Sequence, residues 1–336
     1  MSAVPSADVV ICTYTEARWD LLVRSVDSVL NQRVTPRRLI VVVDHNDGLL
    51  ERCRGRWLSG SVRSSVSITL CANGFAGRLG SARNTGLLLA DADVVAFLDD
   101  DAEATEDWLA RLLAVYESRP EAVAVGGAPR PVYAVARPEW FPPEFNWVFG
   151  CHYGMLPSTL APVRHVIGAN MSVRRAEMLA VGGFHADDHD DMDLSHRIAH
   201  AHGPSAVLYE PQAEVRHHVS AERLTWAYFW RRCFYVNRSK VSALADMEGA
   251  GNIGAEALFV AQLLGQAAPA ALALASGRTQ PCRQWLIAIT GTAIAGLGYL
   301  VGRIRLARGV RTECLTVGLS SDDIDQASIL ALTADA

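Results

Sequence analysis

Hydrophobic and polar positions along the first 130 residues follow two alternating periods. Short β-branched runs, DVVICTY (8–14), RLIVVVDH (38–45), VSITLCAN (66–73), VVAFLD (94–99) and AVAVGG (122–127), read as strands bounded by polar turns. Amphipathic stretches separate them. In RWDLLVRSVDSVLNQ, Leu22, Val26, Val29 and Leu30 share one helical face; Trp108, Leu109, Leu112, Leu113 and Tyr116 form a second apolar stripe, capped by Thr105 and stopped by Pro120. This repetition predicts an α/β fold with a mainly parallel sheet.

Beyond residue 130 the pattern changes. Residues 131–166 are rich in proline and aromatics (RPEWFPPEFNWVFG), which fits either an irregular lid with exposed rings or a loop packed on the core. Residues 167–245 return to mixed structure. Two apolar stretches follow, 257–276 and 285–302, with Arg278, Arg283, Arg303, Arg305, Arg308 and Arg311 around them. Each approaches the ~20 residues that a bilayer crossing needs, yet Gln262, Gln266, Pro269 and many Ala and Gly dilute them. A membrane-associated hairpin and a soluble helical pair both remain open readings. The tail after residue 311 is expected to be loosely ordered.

Half of the 336 residues are hydrophobic, enough to bury a sizeable core. The net charge of -5, with no basic block, gives nucleic-acid binding no electrostatic support and favours a small or lipid-linked partner. The seven cysteines are odd in number, scattered and without CxxC spacing, as expected for reduced thiols in the cytoplasm. The N-terminus lacks the features of a secretory signal peptide.

The candidate chemistry starts with Asp99-Asp100-Asp101, three carboxylates placed directly after an apolar strand. At ~4 Å and an effective dielectric near ~20, each like-charge contact costs roughly 4 kcal/mol, so the cluster needs either water or a cation. In an extended backbone Asp99 and Asp101 face one side and can share a hard cation with a diphosphate, while Asp100 points away and is expected to tolerate change best. In GRLGSARNTGLLLA (77–90), Gly80, Ala82 and Gly86 permit close backbone approach, and Arg83 is the only strong cation placed to face the triplet from the neighbouring unit, where it can contact phosphate or hold the acids. Neither GxGxxG nor GxxxxGK[ST] occurs, which argues against dinucleotide and P-loop sites.

Two further clusters lie downstream. Asp190, Asp191 and Asp193 begin a helix with buried Leu194 and Ile198, where one acid is poised as a general base. His196 and His200 share a helix face, but no third metal ligand stands at a fixed spacing. His217 or His218 can complete a metal site or touch a diphosphate, and Arg231 and Arg232 sit in an aromatic setting suited to an anionic leaving group.

Taken together, VVICTYTE, SVLNQ, VVVDHND, GSARNTGLLLADADVVAFLDDDAEATEDWL, GANMSVRRAEMLAVGGF, DDMDLSHR and HHVSAERLTWAYFWRR resemble the family 2 glycosyltransferases of GT-A fold over about residues 7–245. The WFPPEF, GANMS and HHVSAERLT variants look most like a group described in actinobacteria as glucosyl-dolichyl phosphate glucuronosyltransferases. The resemblance implies a nucleotide-sugar-binding half (1–130) and an acceptor-binding and catalytic-base half (131–245); the hydropathy pattern adds C-terminal apolar helices (246–310), membrane-associated in one of the two readings, and a loosely ordered tail (311–336). It further implies inverting transfer from a nucleoside diphosphate sugar, a UDP-sugar in the first instance, to a lipid-linked or small-molecule acceptor, with Mg2+ or Mn2+. The enzyme would work in the cytoplasm or at the inner face of the membrane.

Residue by residue, Thr13, Tyr14, Glu16 and Asp44 match the family's nucleoside-holding positions, Arg83 its ARN arginine, and Asp99 and Asp101 its DxD metal motif. Asp191 matches the expected catalytic base. His217 is a further metal candidate, Asp100 and Asp190 are expected beside the nucleotide sugar, and Trp140, Asn170, Arg231 and Arg232 near acceptor or diphosphate. Two departures stand out: His45 follows Asp44 where relatives often have an acid, and Asp190 replaces the glutamate of the family's Glu-Asp pair. The rivals are a sugar-nucleotide or glycan-binding module without catalysis, and an all-helical polyprenyl diphosphate synthase, to whose DDxxD motifs residues 99–103 and 187–191 approximate.

Overall fold

The structure is a computed structural model that describes residues 4–59, 66–185, 189–243, 245, 254–310, 318–320 and 322–323. Asp187, Asp188, Arg311 and most of the tail after residue 311 lie outside the described residues.

The chain divides into two compact units: residues 1–130, 157–217 and 315–336 form unit 1, and residues 131–156 and 218–314 form unit 2. In chain order the elements are β1 (Ala7–Thr13), α1 (Trp19–Leu30), β2 (Arg38–Val43), α2 (Asp47–Trp57), β3 (Ser67–Ala72), α3 (Leu79–Leu89) and β4 (Val94–Asp99). Next come β5 (Ala102–Ala104), α4 (Trp108–Ser118), β6 (Ala124–Tyr133), β7 (Ala161–Pro162), β8 (Asn170–Arg174), α5 (Arg175–Ala180), α6 (Asp190–His202) and β9 (Val207–Val219). The last helices are α7 (Trp226–Ala243), α8 (Gly254–Gly265), α9 (Ala267–Ala275) and α10 (Thr279–Ala307).

The sheet order is β3-β2-β1-β4-β8-β6-β9-β5, with β7 paired to β9. The pairs β3-β2, β2-β1 and β1-β4 are parallel, and β4-β8, β8-β6 and β9-β5 are antiparallel. Alternation along each strand splits the core into two layers. Val9, Ile11, Leu39, Val41, Val94, Ala96 and Leu98 face α1, α2 and α4 on one side. Val10, Ile40, Val42, Val95 and Phe97 face α3, α5 and α6 on the other. The parallel strands exclude the all-helical synthase reading.

Helix α3 lies tight against the sheet because Gly86 has no side chain: a Cβ there would sit 2.4 Å from a Val10 methyl carbon. Every residue of α3 from Gly80 onward is buried, so Arg83 is carried inside the fold. The acidic triplet does not lead straight into a helix. The chain turns at Asp100-Asp101 and forms β5, which pairs Ala102 with His217 of β9. Thr105 donates its hydroxyl to the Glu214 carbonyl, and the N-cap position of α4 is Asp107, so the expected Thr105 cap is not formed.

In unit 2 the Pro- and aromatic-rich segment is core. Phe141, Phe145, Val148 and Phe149 are buried with Phe229, Cys233 and Ile287. Helix α10 packs along α7 through Gly291, Gly298 and Gly302; a Cβ on Gly298 would meet the Phe234 carbonyl oxygen at 2.2 Å. Glu256–Ala275 and Thr279–Ala307 are long and apolar enough to cross a membrane, and Leu258, Leu264, Leu272, Leu297 and Leu300 on them are exposed.

Candidate active site

The carboxyl ends of β1, β2 and β4 bring the candidate residues of unit 1 to one edge of the sheet, where ligands bind in open α/β folds. Asp99, Asp101 and His217 offer one donor atom each, all within 4.8 Å of one another. The β5-β9 pairing produces this grouping across more than a hundred residues of chain. His217 Nε2 stands 3.1 Å from Asp101 Oδ1. Two carboxylates and an imidazole are the donor set that a hard divalent ion such as Mn2+ or Mg2+ accepts, so the residues present fit the implied metal.

The three acids of the triplet live in different surroundings. The Asp99 side chain keeps 26% of its exposure, against 4% for Asp100 and 5% for Asp101. Asp100 accepts from the Thr13 hydroxyl at 2.8 Å and from Arg18 Nη1 at 2.9 Å, while the same Arg18 nitrogen lies 3.3 Å from Asp101 Oδ2. Burial pushes the Asp100 carboxyl up to about 6, Arg18 pulls against that rise, and Asp101 adds to it. The expectation that Asp100 tolerates change best is therefore corrected: it is the most enclosed of the three and carries two hydrogen bonds. Arg18 thus joins Arg83 as a second cation on the triplet. Arg18 reads in sequence as the polar face of a helix; its only signal was its place two residues after Glu16, in the turn that leaves β1.

Arg83 holds the opposite side. Its Nη2 donates to Asp99 Oδ1 at 2.9 Å and to the Gly168 carbonyl at 2.9 Å, and its Nη1 to Asp190 Oδ2 at 2.6 Å. Burial opposes the Arg83 charge, but Asp190 and Asp99 outweigh it and keep the guanidinium protonated. Burial also raises Asp190 against the pull of Arg83, with the Asp191 charge adding to the rise. Asp191, half-buried, accepts from the Gly168 N–H at 2.8 Å through Oδ2 and from the Met192 N–H at 2.7 Å through Oδ1. Gly168 thus joins Arg83 to Asp191, a role that the sequence reading missed.

At the β1 and β2 ends, Tyr14 is 57% exposed and Glu16 pairs with Arg52 at 3.2 Å. Asp44 Oδ1 contacts Asn73 at 2.8 Å and His45 at 2.7 Å, and its Oδ2 accepts from the Arg78 N–H at 2.9 Å. Burial works to raise the Asp44 carboxyl, but these hydrogen bonds outweigh it and leave its pKa below the ordinary value.

Asn170 and Trp140, expected near the acceptor or diphosphate, are both buried. Asn170 is fully buried, with Oδ1 accepting from the Trp108 indole at 2.7 Å and Nδ2 donating to the Ala213 carbonyl at 2.8 Å. Trp140 is buried in unit 2, stacked on Trp226 with ring centroids 3.8 Å apart. Arg231 and Arg232 are exposed on α7 in unit 2. Among the described residues His196 and His200 join no metal-ligating group.

Comparison with known proteins agrees with this architecture. The family model described as "Glycosyl transferase family 2" matches residues 8–180, about half of the chain. A glucosyl-dolichyl phosphate glucuronosyltransferase of Haloferax volcanii is 34% identical over 242 residues, spanning 69% of this chain and 75% of the relative. The mannosyltransferase PcManGT of Pyrobaculum calidifontis, solved with GDP-Man and Mn2+, superposes with a TM-score of 0.60 at 21% identity, covering 90% of this chain and 87% of that one. S. aureus TarS 1-349, solved with UDP-GlcNAc, superposes with a TM-score of 0.51 at 14% identity, covering 91% and 92%. The fold is GT-A, and the chain belongs to the family 2 glycosyltransferases.

Proposed function

We propose that the protein transfers a sugar, with inversion, from a UDP-sugar to a hydroxyl of a lipid-linked acceptor, and that Asp191 is the general base. The observation that carries this reading is the convergence, on one sheet edge, of the Asp99-Asp101-His217 donor set with the Arg83-Asp190-Asp191 group. The lipid-linked acceptor is supported by the name of the Haloferax relative and by the two apolar C-terminal stretches, which would hold the enzyme at the inner face of the membrane.

In this mechanism Thr13, Tyr14, Glu16 and Asp44 hold the nucleoside end of the donor, with Asp44 ionised and therefore an acceptor only. Asp99, Asp101 and His217 would hold Mg2+ or Mn2+, which supplies positive charge to the leaving diphosphate. The acceptor oxygen attacks the anomeric carbon, its proton passes to Asp191, and the bond from that carbon to the diphosphate oxygen breaks with the electron pair leaving on the nucleoside diphosphate. One displacement inverts the anomeric centre. Arg83 is paired with Asp190 and Asp99, whereas Asp191 accepts from the Gly168 and Met192 N–H groups and each of its oxygens keeps a second lone pair for the proton.

The test is a product assay over UDP-glucuronate, UDP-glucose, UDP-GlcNAc and GDP-mannose with polyprenyl phosphate and glycosylated polyprenyl phosphate acceptors, with the anomeric configuration read by NMR. Asp191→Asn should abolish transfer while donor binding with Mn2+ stays within about twofold. Full activity of Asp191→Asn, or a retained anomeric configuration, would overturn the assignment; donor binding without turnover on any acceptor would favour the non-catalytic module.

A further inference from the structure

Residues 181–185, which follow α5, are fastened far more thoroughly than a surface connection needs. Gly182 and Gly183 hold positive φ values of 81° and 69°, conformations that favour glycine. Arg197 of α6 donates to the Val181 and Gly183 carbonyls at 2.5 and 2.7 Å while paired to Asp193 at 2.8 Å. Asn84, next to Arg83 on α3, bonds Phe184 in both directions, from Nδ2 to its carbonyl at 2.9 Å and from its N–H to Oδ1 at 2.8 Å. Phe184 meets Phe97 of β4 edge to face at 5.2 Å.

The last fastening comes from the far end of the chain. The Leu319 N–H donates to the Gly182 carbonyl at 2.8 Å, and the Leu319 side chain, 9% exposed, joins the apolar layer that contains Phe184, Met178 and Leu194. There is no slack in this seat. A Cβ on Gly183 would lie 2.9 Å from a Leu319 methyl carbon, and one on Gly318 would lie 2.7 Å from the His185 ring. Asp323 orders the strap from outside the core, accepting from the Ser320 N–H at 2.9 Å and its hydroxyl at 2.5 Å. Six residues beyond Phe184 stands Asp190, and then Asp191.

We propose that Leu319 is a positioning residue for sugar transfer: seated under Gly182–Phe184, it holds the Val181 and Gly183 carbonyls against Arg197 of α6, so that Asp190 at the start of that helix reaches Arg83 and Asp191 accepts from Gly168. The inference rests on the assignment of Asp191 as base. It adds that the C-terminal strap belongs to the catalytic apparatus through this contact. The strap's hydrogen bond and closest contacts fall on residues 182–185, whereas the donor end of the site is built on the carboxyl ends of β1, β2 and β4. Loosening Leu319 therefore impairs the transfer step selectively.

The test uses the full chain with Leu319→Ser, Leu319→Met and Asp323→Ala, beside Asp191→Asn. Leu319→Ser should lower kcat about tenfold to a hundredfold, the scale of an ångström-sized misplacement of a catalytic group, with donor KM and Mn2+ affinity within about twofold. Deuterium uptake should rise across residues 181–194 and stay unchanged in β1, β2 and β4. Leu319→Met should restore most of kcat, because its volume fits the same seat. Asp323→Ala, which removes no buried atom, should give a smaller fall of the same kind. An unchanged kcat in Leu319→Ser, or a loss of kcat matched by loss of donor binding and by uptake throughout the sheet, would overturn the proposal. Retained turnover in Asp191→Asn would instead refute the base assignment, leaving the exchange pattern to report on the strap.

Discussion

Arg83→Met is the substitution on which the site's electrostatics can be measured. The Arg83 side chain is 3% exposed and its Nη1 lies 2.6 Å from Asp190, itself 8% exposed, so solvent screens little of this pair. At that separation and an effective dielectric near ~20 the attraction is ~6 kcal/mol before desolvation. The Asp99 contact at 2.9 Å counts for less, because that carboxylate is a quarter exposed. Removing the guanidinium strands Asp190 as a buried charge, and loss of one partner from a buried pair costs ~3–5 kcal/mol. That is a large share of a domain's ~5–15 kcal/mol.

The cost should depend on pH in a direction set by Asp190. Without Arg83 the folded-state pKa of Asp190 rises further above its unfolded value of 3.8. Its contribution to stability is then fully present below 3.8 and lost as pH rises through the folded pKa, so the deficit of the variant grows as pH rises past about 7, where the wild-type carboxyl has given up its proton and the variant's has not. Urea unfolding followed through Trp57 and Trp108, both buried in unit 1, reads this directly. Adding Asp190→Asn removes the stranded charge yet keeps an acceptor for the Asp191 N–H, now 2.9 Å from Asp190 Oδ1. The double variant should recover at least half of the lost stability and remain inactive. A single variant within ~1 kcal/mol of wild type at pH 7.5, or a double variant no more stable than the single, would refute the reasoning.

Three other outcomes follow from the same contacts. Asp8, buried at the start of β1, accepts from the Asp91 and Ala92 N–H groups through Oδ2, and burial raises its carboxyl. Its contribution to stability falls as pH rises above 3.8, so Asp8→Asn should gain on wild type between pH 4 and pH 7.5 in urea unfolding. Gly168→Ala places a Cβ 3.1 Å from Arg83 Nη1 and 3.3 Å from Asp191 Oδ2; kcat should fall by about tenfold with stability changed by no more than ~1–3 kcal/mol. Arg18→Met leaves Asp100 and Asp101 without their shared cation, so Mn2+ should raise the Tm of the variant more than that of wild type in a thermal-shift titration, and an equal or smaller rise would count against the site.

The parts of the fold legible in sequence are those that a local pattern specifies. The strand runs at 8–14, 38–45, 66–73 and 94–99 coincide with β1 to β4: burial on both faces of β1, β2 and β4 demands continuous β-branched sequence, and the edge strand β3 is buried only in its middle. The run at 122–127 marks only the start of β6, which continues through PRPVY to Tyr133, prolines included. Strand β5 left no trace. Three residues, Ala102–Ala104, are too short to display a period, and what makes them a strand is their pairing with β9 more than a hundred residues away.

The same contrast explains the site. Reading the acidic triplet as an extended DxD ladder assumed that β4 continues through it, but β4 stops at Asp99 and the chain turns. The turn carries Asp100 inward onto Thr13 and Arg18, and β5 then lays His217 beside Asp101. Both consequences depend on where distant segments lie, which spacing along the chain does not encode. The buried hydrogen bonds of Asn170 escaped the sequence for a related reason. A polar residue in a resembling motif reads as a ligand contact, whereas here its amide satisfies the buried Trp108 indole and the Ala213 carbonyl, groups whose need for a partner appears only once the sheet has closed over them. The acids at 99–101 and 190–191 could be found from sequence because unpaired buried charge is costly anywhere. Their division of labour is set by which neighbours the fold supplies, Arg18 to Asp100 and Asp101, Arg83 to Asp99 and Asp190, and the Gly168 N–H to Asp191.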